Sequence, residues 1–152
     1  MERARLAAVD DAGVLAQLLH DFNTEFDTPT PGVAVLTASL RALLGAEATF
    51  AFLVGAPAVG MGLATLRPNV WYDGPVALLD ELYVVPDRRG QGIGTALIEL
   101  LMTECRARDV RLIEINVDES DVDAGRFYRR HGFSDVHPDS GERASYFAQE
   151  LS

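Results

Sequence analysis

The chain has 152 residues, 48% of them hydrophobic, and a net charge of −10 from 23 acidic residues against 13 arginines. That length suits a single domain, residues 1–152, burying roughly 70% of its unfolded surface. The acidic balance excludes nucleic acid as a partner, because phosphate neutralisation needs basic surface. No apolar run approaches the roughly 20 residues of a membrane span, so no membrane role is expected. The opening Met1-Glu2-Arg3-Ala4-Arg5 lacks the apolar core of a secretory signal. The lone Cys105 cannot form an internal disulfide and lies on an apolar helical stripe, so a core role in a reducing cytoplasm is expected.

In chain order, Arg5 to Ala8 reads as a first short strand. Asp10 or Asp11 then caps a helix with apolar positions at 14, 15, 18, 19, 22 and 26. Thr28-Pro29-Thr30-Pro31-Gly32 ends it as a loop, and a second short helix is predicted from Ala38 to Leu44, stopped by Gly45. Thr49 to Val54 and Ala58 to Leu66, joined by Gly55-Ala56-Pro57, read as a hairpin. Residues 67–75 form a loop carrying Trp71 and Tyr72.

The most informative stretch follows. A β-branched, apolar run from Ala77 to Val85 closes at Pro86 and leads into Arg88-Arg89-Gly90-Gln91-Gly92-Ile93-Gly94-Thr95. Apolar residues at 93, 97, 98, 101 and 105 then have helical spacing. Strand, glycine-rich turn and helix together aim backbone N–H groups and the positive end of a helix dipole at one point, and the arginines add charge. This is chemistry for a phosphate-bearing ligand. A dinucleotide fingerprint fails, because its third glycine position holds Thr95 or Leu97 according to register. A P-loop fails too, because the chain contains no lysine. Beyond the helix, a strand is predicted from Leu112 to Val117, a helix from Asp123 to His131 stopped by Gly132, and a last strand at Ser145-Tyr146-Phe147-Ala148. His20, His131 and His137 have no metal-ligand spacing, so no metal is expected.

Arg89-x-x-Gly92-x-Gly94 after Val-Pro resembles the acyl-CoA pyrophosphate loop of the GCN5-related N-acetyltransferases (GNAT family). Ala124-Gly125-Arg126-Phe127-Tyr128-Arg129-Arg130-His131-Gly132-Phe133 resembles that family's A-x-x-x-Y-x-x-x-G-F segment. The likeness covers roughly residues 77 to 134. It implies an α/β fold whose mixed, largely antiparallel sheet has helices on both faces. That sheet splays into a V between two parallel strands, here around residues 80–84 and 112–117, with acetyl-CoA as co-substrate in the opening. The resemblance places the pyrophosphate on Arg88, Arg89, Gly90, Gln91, Gly92, Ile93, Gly94 and Thr95. The pantetheine arm falls along Tyr83, Val84 and Val85, with a backbone N–H at or beside Val84 polarising the thioester carbonyl.

Tyr128 falls at the position of the family's general acid, which protonates the departing thiolate. The base for the acceptor ammonium is sought among carboxylates: Glu81 first, Asp80 second, then Glu114 or Asp118. Strand alternation puts Asp80 and Glu81 on opposite faces. Two positions depart from the family pattern. Asn116 stands where relatives acting on protein N-termini often carry a glutamate, which argues against that substrate. Asp121 replaces a usual asparagine and can accept but not donate a hydrogen bond when ionised. The resemblance thus implies an N-acetyltransferase acting by direct transfer on a primary amine of a small molecule, a partner that an acidic protein attracts. A peptide or protein amine is the second acceptor class, and a non-catalytic acyl-CoA-binding sensor module the reading from outside enzymology. A homodimer is among the assemblies the family implies.

Overall fold

Nearly continuous apolar runs, buried on both faces, produce the central strands, and the glycines within them decide how closely other elements approach. The computed structural model describes residues 2–152. One compact unit runs through Ile115 and a second from Asn116 to Ser152.

The first unit contains β1 (Ala4–Leu6), α1 (Ala12–Glu25), α2 (Val33–Leu44), β2 (Thr49–Val54), β3 (Gly60–Arg67), β4 (Val76–Val84), α3 (Ile93–Ala107) and β5 (Leu112–Ile115). Sheet order follows chain order, antiparallel except for the parallel pair β4–β5. Among the described residues no helix is long and apolar enough to cross a membrane.

The sheet is covered on both sides. Ala51, Leu53, Met61, Leu63 and Tyr83 form one face, packed with Leu15, Ala16 and Leu18 of α1 and Leu40 of α2. Phe50, Phe52 and Val54 point the other way, since strand side chains alternate. There α3 lies close to β3. A Cβ on Gly60 would come within 2.8 Å of Ile93 and 3.3 Å of Leu97. At the far end of the same helix, the Arg108 guanidinium sits 4.3 Å from the Phe50 ring centroid. Cys105 is buried on this stripe, and burial pushes its thiol up to about 11.

Three local expectations are corrected. Asp11 precedes α1 but does not cap it. A 3₁₀ turn over Val9–Asp11 directs its carboxylate back to the Ala8 N–H at 2.8 Å and to Arg5 at 2.9 and 3.0 Å. Hydrogen bonds from Arg5, then from Ala8, lower its pKa to about 2. Helix α2 begins at Val33, earlier than expected, because β-branched Val33 and Val35 masked its start. The last strand does not form. Within residues 116–152 the one strand pairing is an isolated Val136–Arg143 bridge, and Ser145–Ala148 are in no strand.

The second unit carries α4 (Val122–Arg130). Its end explains the spacing of the second motif. Gly132, at φ +89°, donates to the Arg129 carbonyl at 3.1 Å, and Phe133 donates to the Tyr128 carbonyl, also at 3.1 Å. This is a Schellman cap, in which glycine supplies the left-handed turn. The Phe133 ring packs edge-on against Tyr128 at 5.9 Å. Tyr-x-x-x-Gly-Phe is therefore one capped helix end that fixes a tyrosine.

The Gly60/Gly62 side of β3 gives a direct test. A Cβ on Gly62 would collide with the Phe52 ring, which is fully buried. Gly62→Ala should cost about 1–3 kcal/mol, the usual range for overpacking. The measurement is a lower urea midpoint at unchanged m-value.

Candidate active site

Strand β4 pairs with β5 only from Val76–Leu112 to Leu79–Ile115. From Asp80 to Val84 it continues past the end of β5, so this stretch has a partner strand on the β3 side alone. Pairing of the two parallel strands stops at Leu79–Ile115, and β5 itself ends at Ile115 instead of the expected Val117. Val85 donates its N–H to the Val59 carbonyl at 2.9 Å. Successive backbone groups of an antiparallel strand point to opposite edges, so the N–H and C=O of Val84 face away from β3. The Val84 carbonyl indeed accepts from Arg89 Nε at 3.0 Å, outside the sheet ladder. The edge thus offers the Val84 N–H as a donor to an extended ligand.

The register of β3 and β4 contains a bulge. Leu63 lies opposite Glu81, and Ala64 lies opposite Leu79, so Asp80 is one residue too many. A bulge of this kind breaks simple alternation. Leu79 shares a face with Ala64, on the α3 side. Glu81 shares a face with Leu63, on the α1 side. Asp80 also turns to the α1 side, where its carboxylate accepts from Thr65 Oγ1 at 2.6 Å. The expectation that Asp80 and Glu81 occupy opposite faces is therefore corrected: the bulge puts both on one face. Glu81 is half-buried, and among the described residues no hydrogen bond or ion pair reaches its carboxylate. Burial, assisted by the charge of Asp80, raises its pKa above the ordinary glutamate range. Glu114 pairs with Arg67 at 2.8 Å, a neutralising contact that Glu81 lacks.

After β4, Pro86–Arg88 makes a 3₁₀ turn, and Gly90 (φ +71°) and Gly92 (φ +83°) bend the chain into α3. A Cβ at Gly90 would meet nothing within 4 Å, so the backbone here is open to a ligand. The N–H groups of Ile93 and Gly94 precede the intrahelical bond from Ala96 to the Gly92 carbonyl at 3.0 Å. A depression of about 300 Å³ lies against this turn, lined by Glu2, Arg88, Gln91, Gly92 and Ile93. An anion fits here: the groups are donors on a helix N-terminus with open space before them.

The two arginines differ. Arg88 donates to Gln91 Oε1 at 3.0 Å and pairs with Glu2. Arg89 turns back over the sheet, with Nη2 on Glu25 at 2.8 Å and its guanidinium 5.7 Å from the Tyr83 ring centroid. The Tyr83 side chain is buried and donates its hydroxyl to Glu25 at 3.0 Å. Burial, then that hydrogen bond, pushes the phenol up to about 12. Glu25 escaped the sequence reading. Its one local signal is an acid in the last turn of a helix, where bases are favoured.

In the second unit Tyr128 sits on α4, held by the Schellman cap and by Phe127, whose ring is 5.3 Å away. Asp121 is the N-cap of α4 and accepts from the Ala124 N–H at 3.1 Å, the acceptor role its ionised form allows. In the 67–75 loop, Asn69 Oδ1 accepts from the N–H groups of Trp71 and Tyr72 at 2.8 and 2.7 Å. That leaves Trp71 86% exposed.

Residues 15–133 match the model of the acetyltransferase (GNAT) family. The chain is 48% identical to a candidate acetyltransferase from Arthrobacter sp. FB24 of known crystal structure, with TM-score 0.93, covering 99% of this chain and 97% of that one. It is 32% identical over 79 residues to the aminoalkylphosphonate N-acetyltransferase of Salmonella typhimurium, covering 52% of this chain and 51% of the relative. The structure of AAC(6')-Iy in complex with the bisubstrate analogue CoA-S-monomethyl-acetylneamine shares the fold, with TM-score 0.78 at 17% identity over 99% of both chains. The chain spans about half or less of the length of the curated relatives it matches.

The half-buried, unpaired Glu81 has a measurable consequence. Its folded pKa is raised, so the folded state binds the proton more tightly than the unfolded state, whose value is about 4.3. Stability therefore falls as pH rises through the folded pKa and is regained on acidification. Glu81→Gln should be more stable than wild type at pH 7, with the gap closing as pH drops below the unfolded value. Urea titrations of both proteins across pH 4 to 8 measure it, and a pH-independent gap would contradict the assignment.

Proposed function

The chain belongs to the GNAT acetyltransferase family, and on that footing we propose that it moves an acetyl group from acetyl-CoA directly to a primary amine of a small molecule. The observation that carries this reading is the continuity of one structural run. A half-buried carboxylate at Glu81, a strand edge with an outward Val84 N–H, and a glycine turn opening α3 follow one another along the chain.

Acetyl-CoA supplies the activated acetyl group when bound, and the residues of this chain supply the rest. The N–H groups of Gly90 to Thr95 hold the diphosphate, with Arg88 adding charge beside them. The edge from Tyr83 to Val85 pairs with the amides of the pantetheine arm. The Val84 N–H donates to the thioester carbonyl and stabilises charge developing on its oxygen, a contribution of about 3 kcal/mol for one such donor. Glu81 takes the proton from the acceptor ammonium, which frees the nitrogen lone pair for attack. Its raised pKa brings it closer to that task than an ordinary glutamate. Asp80, anchored by Thr65, keeps a negative charge on the same face and favours a cationic acceptor. The Tyr128 phenol donates its proton to the departing thiolate.

A small acceptor is supported by Asn116, where relatives acting on protein N-termini often have a glutamate. It is supported further by the aminoalkylphosphonate acetyltransferase among the relatives. Net charge −10 favours an amine approaching as a cation.

The test is thiol release from acetyl-CoA with a panel of diamines, amino sugars, aminophosphonates and N-terminal peptides. Turnover with small amines and none with peptides supports the reading. Micromolar CoA binding with no acetylation of any amine supports a sensor module instead. On a substrate found this way, Tyr128→Phe keeps the ring against Phe133 and should lower kcat by roughly 10²-fold at unchanged thermal stability. Near-normal turnover would remove the phenol from the mechanism.

A further inference from the structure

Glu25 is the last residue of α1, where the helix dipole disfavours an acid, and no basic residue in that turn offsets it. Its compensation comes from far along the chain. One oxygen, Oε1, accepts both the Tyr83 hydroxyl at 3.0 Å and Arg89 Nη2 at 2.8 Å. Arg89 in turn reaches the Val84 carbonyl through Nε at 3.0 Å, and Phe22 of α1 stacks on Tyr83 with ring centroids 4.8 Å apart. The cluster joins the end of α1, the edge of β4 and the first residue before the glycine turn.

The Arg89–Glu25 pair is partly open to solvent, with side chains 43% and 25% exposed. Such pairs contribute little to global stability. Its effect is local. Arg89 ends the 3₁₀ turn in extended conformation, and Gly90 and Gly92 follow with positive φ. Glycines have the widest backbone freedom of any residue, so a cradle built from them needs fixed ends. Helix α3 fixes one end. Arg89, gripped by Glu25 and by the Val84 carbonyl, fixes the other.

We propose that Glu25 is a positioning residue for the diphosphate end of CoA, acting through Arg89 without touching the ligand. This rests on the acyl-CoA reading above. Removing the grip adds an ordering cost to every binding event that uses the turn, because pre-organisation is lost. A ligand that uses only the strand edge does not incur that cost.

Calorimetry with CoA and with pantetheine, which carries the same arm but no diphosphate, separates the cases. Glu25→Ala should weaken CoA about tenfold and leave pantetheine unchanged, with a modest fall in melting temperature from the Tyr83 hydroxyl that loses its acceptor. Glu25→Gln, which keeps the volume and one acceptor oxygen, should show a smaller loss restricted to CoA, and it covers the case in which the alanine variant does not fold. Equal weakening of both ligands, or no change for CoA in either variant, overturns the proposal. Failure of wild type itself to bind CoA overturns the acyl-CoA reading instead, and is distinguished by the wild-type titration.

Discussion

One surplus residue in β4 governs what the sheet shows to each side. With Asp80 bulged out, the parity of the strand reverses between Leu79 and Glu81. Up to Leu79 the odd-numbered residues feed the α3 side of the core. Beyond the bulge the odd-numbered Glu81 and Tyr83 face α1 and α2. Were residues 79 to 81 to alternate regularly, Glu81 would share the face of Leu79 and enter the apolar layer under α3, where an unpaired carboxylate is very costly. The bulge thus reconciles a packed core in the first half of β4 with a second half that turns two carboxylates toward the α1 side. It also lies where β5 stops pairing, so the strand changes role and loses a neighbour at the same place.

The glycine turn depends on that arrangement. Its position follows from Pro86 closing the strand and from α3 being drawn onto Gly60. A helix held this close to β3 brings its N-terminus up to the end of β4. The glycine turn and the strand edge are then consecutive in space as well as in sequence. The Tyr83–Glu25–Arg89 cluster adds a lateral tie from α1, a helix with no other link to the turn among the described hydrogen bonds.

Much of this was legible in the residues. The hairpin was marked by Gly55-Ala56-Pro57 between two apolar runs, and β2 formed at its predicted limits. The turn and α3 were legible because glycine spacing and helical periodicity agree there. The end of α4 was legible because its stop is a local device, a capped helix end needing only Gly132 and Phe133. The bulge was not, since no glycine or proline marks it and a period of two was the natural assumption for Leu78-Leu79-Asp80-Glu81. Glu25 was hidden by distance: its partners lie 58 and 64 residues away. The tail misled because Tyr146 and Phe147 read as strand residues by type alone, whereas both are largely exposed and unpaired in the structure.

The two bare positions on β3, Gly60 and Gly62, bear on how such a protein can change over generations. Any side chain added there meets α3 or Phe52, so this layer admits almost no substitution. The loop from Phe26 to Gly32 and the one around Trp71 carry no such restriction: their large residues, Phe26 and Trp71, stand exposed. Variation is therefore channelled away from the scaffold that carries the glycine turn and into surface loops. Sequence change can accumulate in those loops while the layer of α3 against β3, and with it the backbone course of the glycine turn, stays fixed.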